Sequence, residues 1–207
     1  MLWRRCVITM TLAVGLLTFG LTNTEAQTGQ GQGSNPHAEL IGKPAPDFPT
    51  GFTLNGKETN LEGLKGKVVL LDFWAVWCGP CIATFPHLRE WQTRYNNKGL
   101  EIIGLTSYYE KVGFDKKAGK TTKLNESMSP DKEQLMLKDF ANYHKLKHRL
   151  VMLDKGAQAE VYKNYGVRGI PQMVLIDREG IVRMIKVGSS PANAKDIENE
   201  MKKLLGS

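Results

Sequence analysis

Val68-Val69-Leu70-Leu71-Asp72-Phe73-Trp74-Ala75-Val76-Trp77-Cys78-Gly79-Pro80-Cys81 is an apolar run with one acid inside it, closed by two cysteines two residues apart. From Val68 to Ala75 there is no polar alternation, the pattern of a strand covered on both faces, as in parallel sheets. Asp72 breaks that pattern. A carboxyl in such a strand is poorly solvated, which raises its pKa, and it lies near enough in sequence to the cysteines to trade protons with them. The spacing suits a buried aspartate bonded to backbone groups equally well, and the residues alone leave both readings open. Further on, Cys81, Phe85, Leu88, Trp91 and Tyr95 recur at intervals of three and four, which predicts a helix with Cys78 at its N-terminus. Partial positive charge there stabilises a thiolate, and cysteines so placed fall below the free thiol's ~8.5. Pro80 in the first turn costs no intrahelical bond. Pro86 lies deeper, where it removes one and should kink the helix.

With 207 residues, 41% hydrophobic and 8% aromatic, the chain fills one good core and is too short for two large domains. Met1-Leu2-Trp3-Arg4-Arg5, the apolar stretch from Cys6 to Thr22, and Thr24-Glu25-Ala26 read as a secretory signal peptide over residues 1–26. An uncleaved membrane anchor is the alternative, although the stretch carries several threonines and is shorter than the ~20 residues a spanning helix wants. The expected location is therefore periplasmic or otherwise extracytoplasmic. Cleavage after Ala26 removes Cys6 and leaves only Cys78 and Cys81. A bridge between residues so close constrains little unfolded-chain entropy, so the pair is there for chemistry rather than as a scaffold.

The formal net charge of +7 falls to +6 on cleavage, and most of it is local: from Lys111 to Arg149 ten Lys or Arg stand against five Asp or Glu. That segment reads as a solvated surface, with docking to acidic partners or anionic lipid as the alternative. Basic and aromatic residues do not interleave as in known nucleic-acid modules, so nucleic acid is not expected as a partner.

Along the chain, residues 27–39 read as a flexible linker rich in Gly and Gln. A domain over 40–207 follows, with an insertion at about 107–148. Gly42-Lys43-Pro44-Ala45-Pro46-Asp47-Phe48 is an extended lead-in, and Phe52 to Leu61 reads as a hairpin turning at Asn55-Gly56. Glu101 to Thr106 reads as the next buried strand. Residues 107–128, rich in Lys, Gly and Thr, are too long for an ordinary connection and read as a mobile insertion. Ser129-Pro130-Asp131 opens a helix whose inner face is Met136, Phe140 and Tyr143. Arg149 to Leu153 reads as a strand and Gly156 to Tyr165 as a helix. Gln172 to Ile176 and Ile181 to Val187 read as antiparallel strands joined at Asp177-Arg178-Glu179-Gly180, with a closing helix from Pro191 to Leu205. Strands alternate with helices early and pair as a hairpin late, which gives an α/β fold with a mixed central sheet and helices on both faces.

Asp72-Phe73-Trp74-Ala75-Val76-Trp77-Cys78-Gly79-Pro80-Cys81 and Tyr165-Gly166-Val167-Arg168-Gly169-Ile170-Pro171 together resemble the thioredoxin fold. The leader, the lead-in, the early hairpin and the insertion look like the TlpA-like branch of exported thiol-disulfide oxidoreductases. The likeness covers roughly Leu40 to Leu205 and is weakest from Ser107 to His148. It implies that Cys78 is the attacking thiol and Cys81 the resolving one. Asp72 matches the buried acid that helps deprotonate Cys81, and Pro171 matches a proline that is cis beside the disulfide. Trp77, Gly79, Pro80, Gly169 and Ile170 match the substrate-binding flank. The implied cofactor is none beyond the Cys78–Cys81 redox disulfide. The implied partners are disulfide-bearing client proteins and a membrane-bound electron donor, with the chain acting as a monomer. Thr84 stands where haem-maturation members often carry an acid, which argues against specific assignment to cytochrome c maturation. Gln172 stands where a threonine is commoner.

The intervening Gly79-Pro80 resembles reducing thioredoxins, so the expected direction is reduction of client disulfides. Pro44-Ala45-Pro46-Asp47-Phe48 also resembles the opening of peroxiredoxins, but Trp74 and Ala75 stand where that family's peroxide site needs Pro and Thr. A different class of function would have Cys78 and Cys81 hold a soft metal such as Cu(I), with His87 as a third ligand. His144 and His148 lie at helical spacing and read as a surface face, with joint metal binding as the alternative; the expected set of metal ligands is none.

Overall fold

Helix α1 (Pro36–Leu40) opens the part of the chain that the computed structural model describes, residues 36–206. The expected leader and residues 27–35 of the expected linker lie outside the described residues. The linker's last four residues, 36–39, form a helical turn rather than flexible chain. After it the lead-in closes on the far side of the sheet: Gly42 donates to Val182 O, Val182 to Lys43 O and Ala45 to Gly180 O. Pro44 and Pro46 stiffen this segment without leaving a donor unpaired.

Two layers of helix sandwich one six-stranded sheet. Its strands are β1 (Phe52–Leu54), β2 (Val68–Phe73), β3 (Leu100–Ser107), β6 (Arg149–Leu153), β7 (Gln172–Ile176) and β8 (Val182–Val187), in the order β1-β6-β3-β2-β7-β8. β2, β3 and β6 run parallel, while β1, β7 and β8 are antiparallel to their neighbours. All six residues of β2 are buried, as its unbroken apolar pattern predicts. On one face Val68, Leu70, Leu100, Ile102, Leu150 and Met152 pack under helices α2 (Gly79–Tyr95), α3 (Pro130–Tyr143) and α5 (Pro191–Leu205). On the other, Val69, Leu71, Phe73, Ile103 and Leu105 pack under α4 (Lys155–Asn164) and the Phe48 lead-in. Such alternate assignment is what a strand period of two produces when both faces are covered.

Three expectations need correction. The early hairpin does not form: β1 is three residues long and pairs with β6, far along the chain. Asn55, at φ 61°, gives its side-chain N–H groups to Leu146 O and His148 O. The turn is thus tied to β6, and Lys57-Glu58-Thr59-Asn60 offers no apolar face for a returning strand. The 107–128 insertion is ordered as a second, two-stranded sheet, β4 (Val112–Asp115) with β5 (Lys120–Lys123). Phe114 anchors it, its ring 5.0 Å from Phe140 and 5.5 Å from Tyr143. Tyr143, expected on the inner face of α3, is itself 48% exposed; Leu137 and Glu133 take the inner positions instead.

Candidate active site

The site assembles where β2 ends. Cys78 is the N-cap of α2, and its Sγ accepts a hydrogen bond from Cys81 N at 3.2 Å. Pro80 falls in the first turn, where no intrahelical donor is lost. The two cysteines are joined in a disulfide, S–S 2.01 Å. Cys81 is wholly enclosed, whereas Cys78 keeps 4% of its surface open and is flanked by exposed Trp77, Gly79 and Pro80. Only Cys78 can therefore be reached from outside, and its sulfur faces the positive end of a 17-residue helix.

Antiparallel pairing of β2 with β7 puts Phe73 opposite Gln172, which brings the Gly169-Ile170-Pro171 loop beside the cysteine loop. The Ile170–Pro171 bond is cis. Gly188 donates to Pro171 O, but no backbone group of Gly169 or Ile170 has a partner among the described residues. A Cβ on Gly169 would meet nothing within 4 Å. The glycine is thus not demanded by packing inside the protein. Gln172, by contrast, is wholly buried and donates to Tyr165 O, so it faces the interior and not a substrate.

Asp72 is completely buried, and neither carboxylate oxygen has a hydrogen-bond partner. That removes the reading of an aspartate bonded to the backbone. Desolvation pushes its pKa up from 3.8 to about 7, because a charged carboxylate without partners is disfavoured in an apolar interior. Alternation along β2 places Asp72 on the face that carries Leu70 and looks toward α2 and Cys81.

Residues the sequence pattern did not single out complete the site. Tyr109 meets Trp77 edge-on at 5.8 Å and donates its hydroxyl to Trp74 O. Its own backbone N–H and that of Glu110 donate to the carboxylate of Glu133, an acid buried on α3. Glu133 thereby braces the start of the insertion against the active-site flank. The signal for it was present: an acid sharing the 133, 136, 137, 140 face with Met, Leu and Phe. Trp77, Tyr109, Tyr162, Val167, Arg168 and Ile170 line a cleft of about 270 Å³ beside the disulfide. Trp77 is 51% exposed there, unusual for so large an apolar side chain.

The histidines are scattered. His87 stacks on Trp91 of its own helix, at 5.7 Å. His144 sits among Phe85, Phe114 and Phe140, with its pKa lowered first by burial and then by Arg89. His148 is buried at the lip of β6, so the pair is not the surface face expected. No three His, Cys, Asp or Glu side chains converge among the described residues.

A family model described as Redoxin matches residues 40–205. The thiol-disulfide oxidoreductase ResA of Bacillus cereus is 32% identical over 175 residues, covering 84% of this chain and 84% of that one. Among solved structures, a Chlorobium tepidum protein provisionally described as the thiol:disulfide interchange protein DsbE is 30% identical, with TM-score 0.57 over 80% of this chain and 98% of the other. A thiol:disulfide interchange protein from Bacteroides sp. is 26% identical, with TM-score 0.58 over 81% and 91% of the two chains.

Proposed function

The chain belongs to the Redoxin family, and from that membership and the site's geometry we propose that it is a thiol-disulfide oxidoreductase that reduces disulfides in client proteins. The observation that carries this reading is the enclosed Cys81 behind a reachable Cys78 at a helix N-terminus, with an unpartnered acid buried on the same side of the sheet. In the reduced protein the Cys78 thiolate attacks a client disulfide, forming a mixed disulfide and releasing one client thiolate. Cys81 gives its proton to Asp72 and attacks Cys78 Sγ. The Cys78–Cys81 bond forms, the second client thiolate leaves, and two electrons have passed to the client. Beyond these cysteines the reaction uses no cofactor.

A client segment lies along the loop at Gly169 and Ile170, whose free backbone groups accept an extended strand. Trp77 and Tyr109 add apolar contact. Trp77→Ala is expected to raise KM for a protein disulfide several-fold, on the order of 1 kcal/mol, while the rate with a small disulfide stays the same; steady-state kinetics with both substrates checks this.

The chain works outside the cytoplasm as a monomer, delivered by its N-terminal leader or held by it as an anchor, and a membrane-bound donor returns it to the dithiol form. Among the described residues no helix is long and apolar enough to cross a membrane. Reduction of insulin well above the background of a small dithiol is the expected result. Stoichiometric Cu(I) binding without such activity would replace this reading with a metal module. A reduction potential near the ~−120 mV of a strong periplasmic oxidant would reverse the direction of flow.

A further inference from the structure

Among the described residues, five of the nine buried side-chain atoms without a hydrogen-bond partner belong to three residues: both oxygens of Asp72, both ring nitrogens of His148, and Nε1 of Trp74. The fold brings these residues together around one glycine. In the sheet Asp72 is directly beside Gly104 on β3, and Gly104 is directly beside Leu150 on β6. By strand alternation and register, Asp72 and Leu150 point to the same face as Leu70, the one under α2, with Gly104 bare between them. The point where a Cβ on Gly104 would sit is 2.8 Å from Trp74 Nε1, 2.8 Å from Leu150 Cδ2 and 3.4 Å from His148 Nε2, so the missing side chain lets the indole, a leucine methyl and the imidazole close over the glycine. The indole enters that place from the active-site end and the imidazole from the opposite end. Asp72 is the residue beside Gly104 on the neighbouring strand, and neighbouring strands lie ~4.8 Å apart.

We propose that His148 is a positioning residue for the dithiol reaction: packed with Trp74 over Gly104, it sets the polar surroundings of the Asp72 carboxylate, and so governs how readily Asp72 takes the Cys81 proton. The proposal rests on the reading of Asp72 as the proton acceptor. Trp74 can only donate, and a neutral imidazole donates from one nitrogen and accepts at the other. Burial keeps His148 neutral by lowering its pKa to about 4, so it can donate to an ionised Asp72 without carrying charge.

The other elements packed around Asp72 bring little that competes. β3 offers Gly104 and β7 offers Met173. α2 offers Cys81, and from the opposite face of the sheet α4 brings Tyr162, whose hydroxyl pKa is raised by burial and, to a lesser degree, by the Asp72 charge. His148 is thus the one basic side chain placed in this cluster.

Carboxyl ¹³C NMR of the oxidised protein, followed as pH is varied, reads Asp72 without turnover. His148→Phe is expected to raise the Asp72 midpoint by about half a pH unit or more, making the carboxylate about three-fold scarcer well below that midpoint. His148→Gln, which keeps an N–H donor, returns it toward the native value. In the unmodified protein the ring ¹⁵N shifts of His148 should move as Asp72 titrates and stay still in Asp72→Asn, which keeps the idea testable where His148→Phe does not fold. An Asp72 midpoint common to all folded variants, or a His148 ring indifferent to Asp72, would overturn the proposal. Either could happen in a protein that reduces insulin normally, so this failure is distinct from failure of the proposed function.

Discussion

Cys81→Ala is expected to stop turnover and leave Cys78 covalently joined to its client. The first step needs only the Cys78 thiolate, and nothing in the substitution touches its place at the α2 N-cap or the exposed Trp77, Gly79 and Pro80 around it. The second step needs a sulfur in the enclosed position behind it, and Cys81 is the only one there. Non-reducing gels of envelope extracts should show adducts that vanish with dithiol and are absent in Cys78→Ser Cys81→Ala. Cys78→Ser alone removes the nucleophile and should lower insulin reduction by about 10³-fold or more, since a serine hydroxyl at its ordinary pKa is a weak nucleophile without an adjacent base. Recovery of no adduct, or normal turnover in either single variant, would contradict the assigned order of attack. Because Cys81 is completely buried, loss of its sulfur leaves a small cavity costing about 1–2 kcal/mol, so the variant should remain folded.

How much of this could be read beforehand depended on whether a feature was local. β2 and α2 were legible because their periods, unbroken and then three-to-four, are properties of short windows. So was the N-cap position of Cys78, and so was the burial of Asp72, since an acid inside an eight-residue apolar run has nowhere wet to go. The partner of β1 was not legible: a three-residue strand pairs across almost a hundred residues with β6, and an Asn-Gly turn signal pointed to a local return instead. The β4–β5 hairpin was hidden because one anchoring ring, Phe114, gives no period. Tyr109 was passed over and His148 was read as a surface residue for a common reason, whereas Glu133 carried a signal in the apolar face it shares on α3. The surroundings of Tyr109 and His148 both come from another element, the insertion against α3 or β6 against β3, and a linear pattern does not report such contacts. The family resemblance supplied Ile170-Pro171, which lies nearly a hundred residues from the cysteines and reaches them only through the β2–β7 register.

Asp72→Asn should separate stability from activity. An acid whose folded pKa stands near 7 against 3.8 when solvated binds a proton more tightly in the native state than in the unfolded one. Below about pH 4 both states are protonated and burial of the carboxyl carries no ionisation penalty. Between about pH 4 and pH 7 the unfolded chain ionises while the native one does not, so stability falls as pH rises. Above pH 7 the loss levels off at about 4 kcal/mol. Asn at this position cannot ionise, although its amide is left without a partner at a cost of about 1–3 kcal/mol. Urea unfolding of the oxidised proteins should therefore show the variant gaining on the wild type steadily from pH 4 to pH 7 and holding that gain at pH 8. The catalytic effect runs the opposite way. Proton removal from Cys81 by a base with pKa near 7 makes release of the mixed disulfide rise with pH through that value in the wild type. The variant should lack this inflection and release clients about 10²-fold more slowly at neutral pH, the usual contribution of a positioned general base. A stability difference that did not change with pH would mean that Asp72 titrates as an ordinary carboxylate. An unchanged rate profile would mean that Cys81 loses its proton to solvent. Together the two curves test whether the apolar strand around Asp72 gives up stability to hold a proton acceptor behind the cysteines.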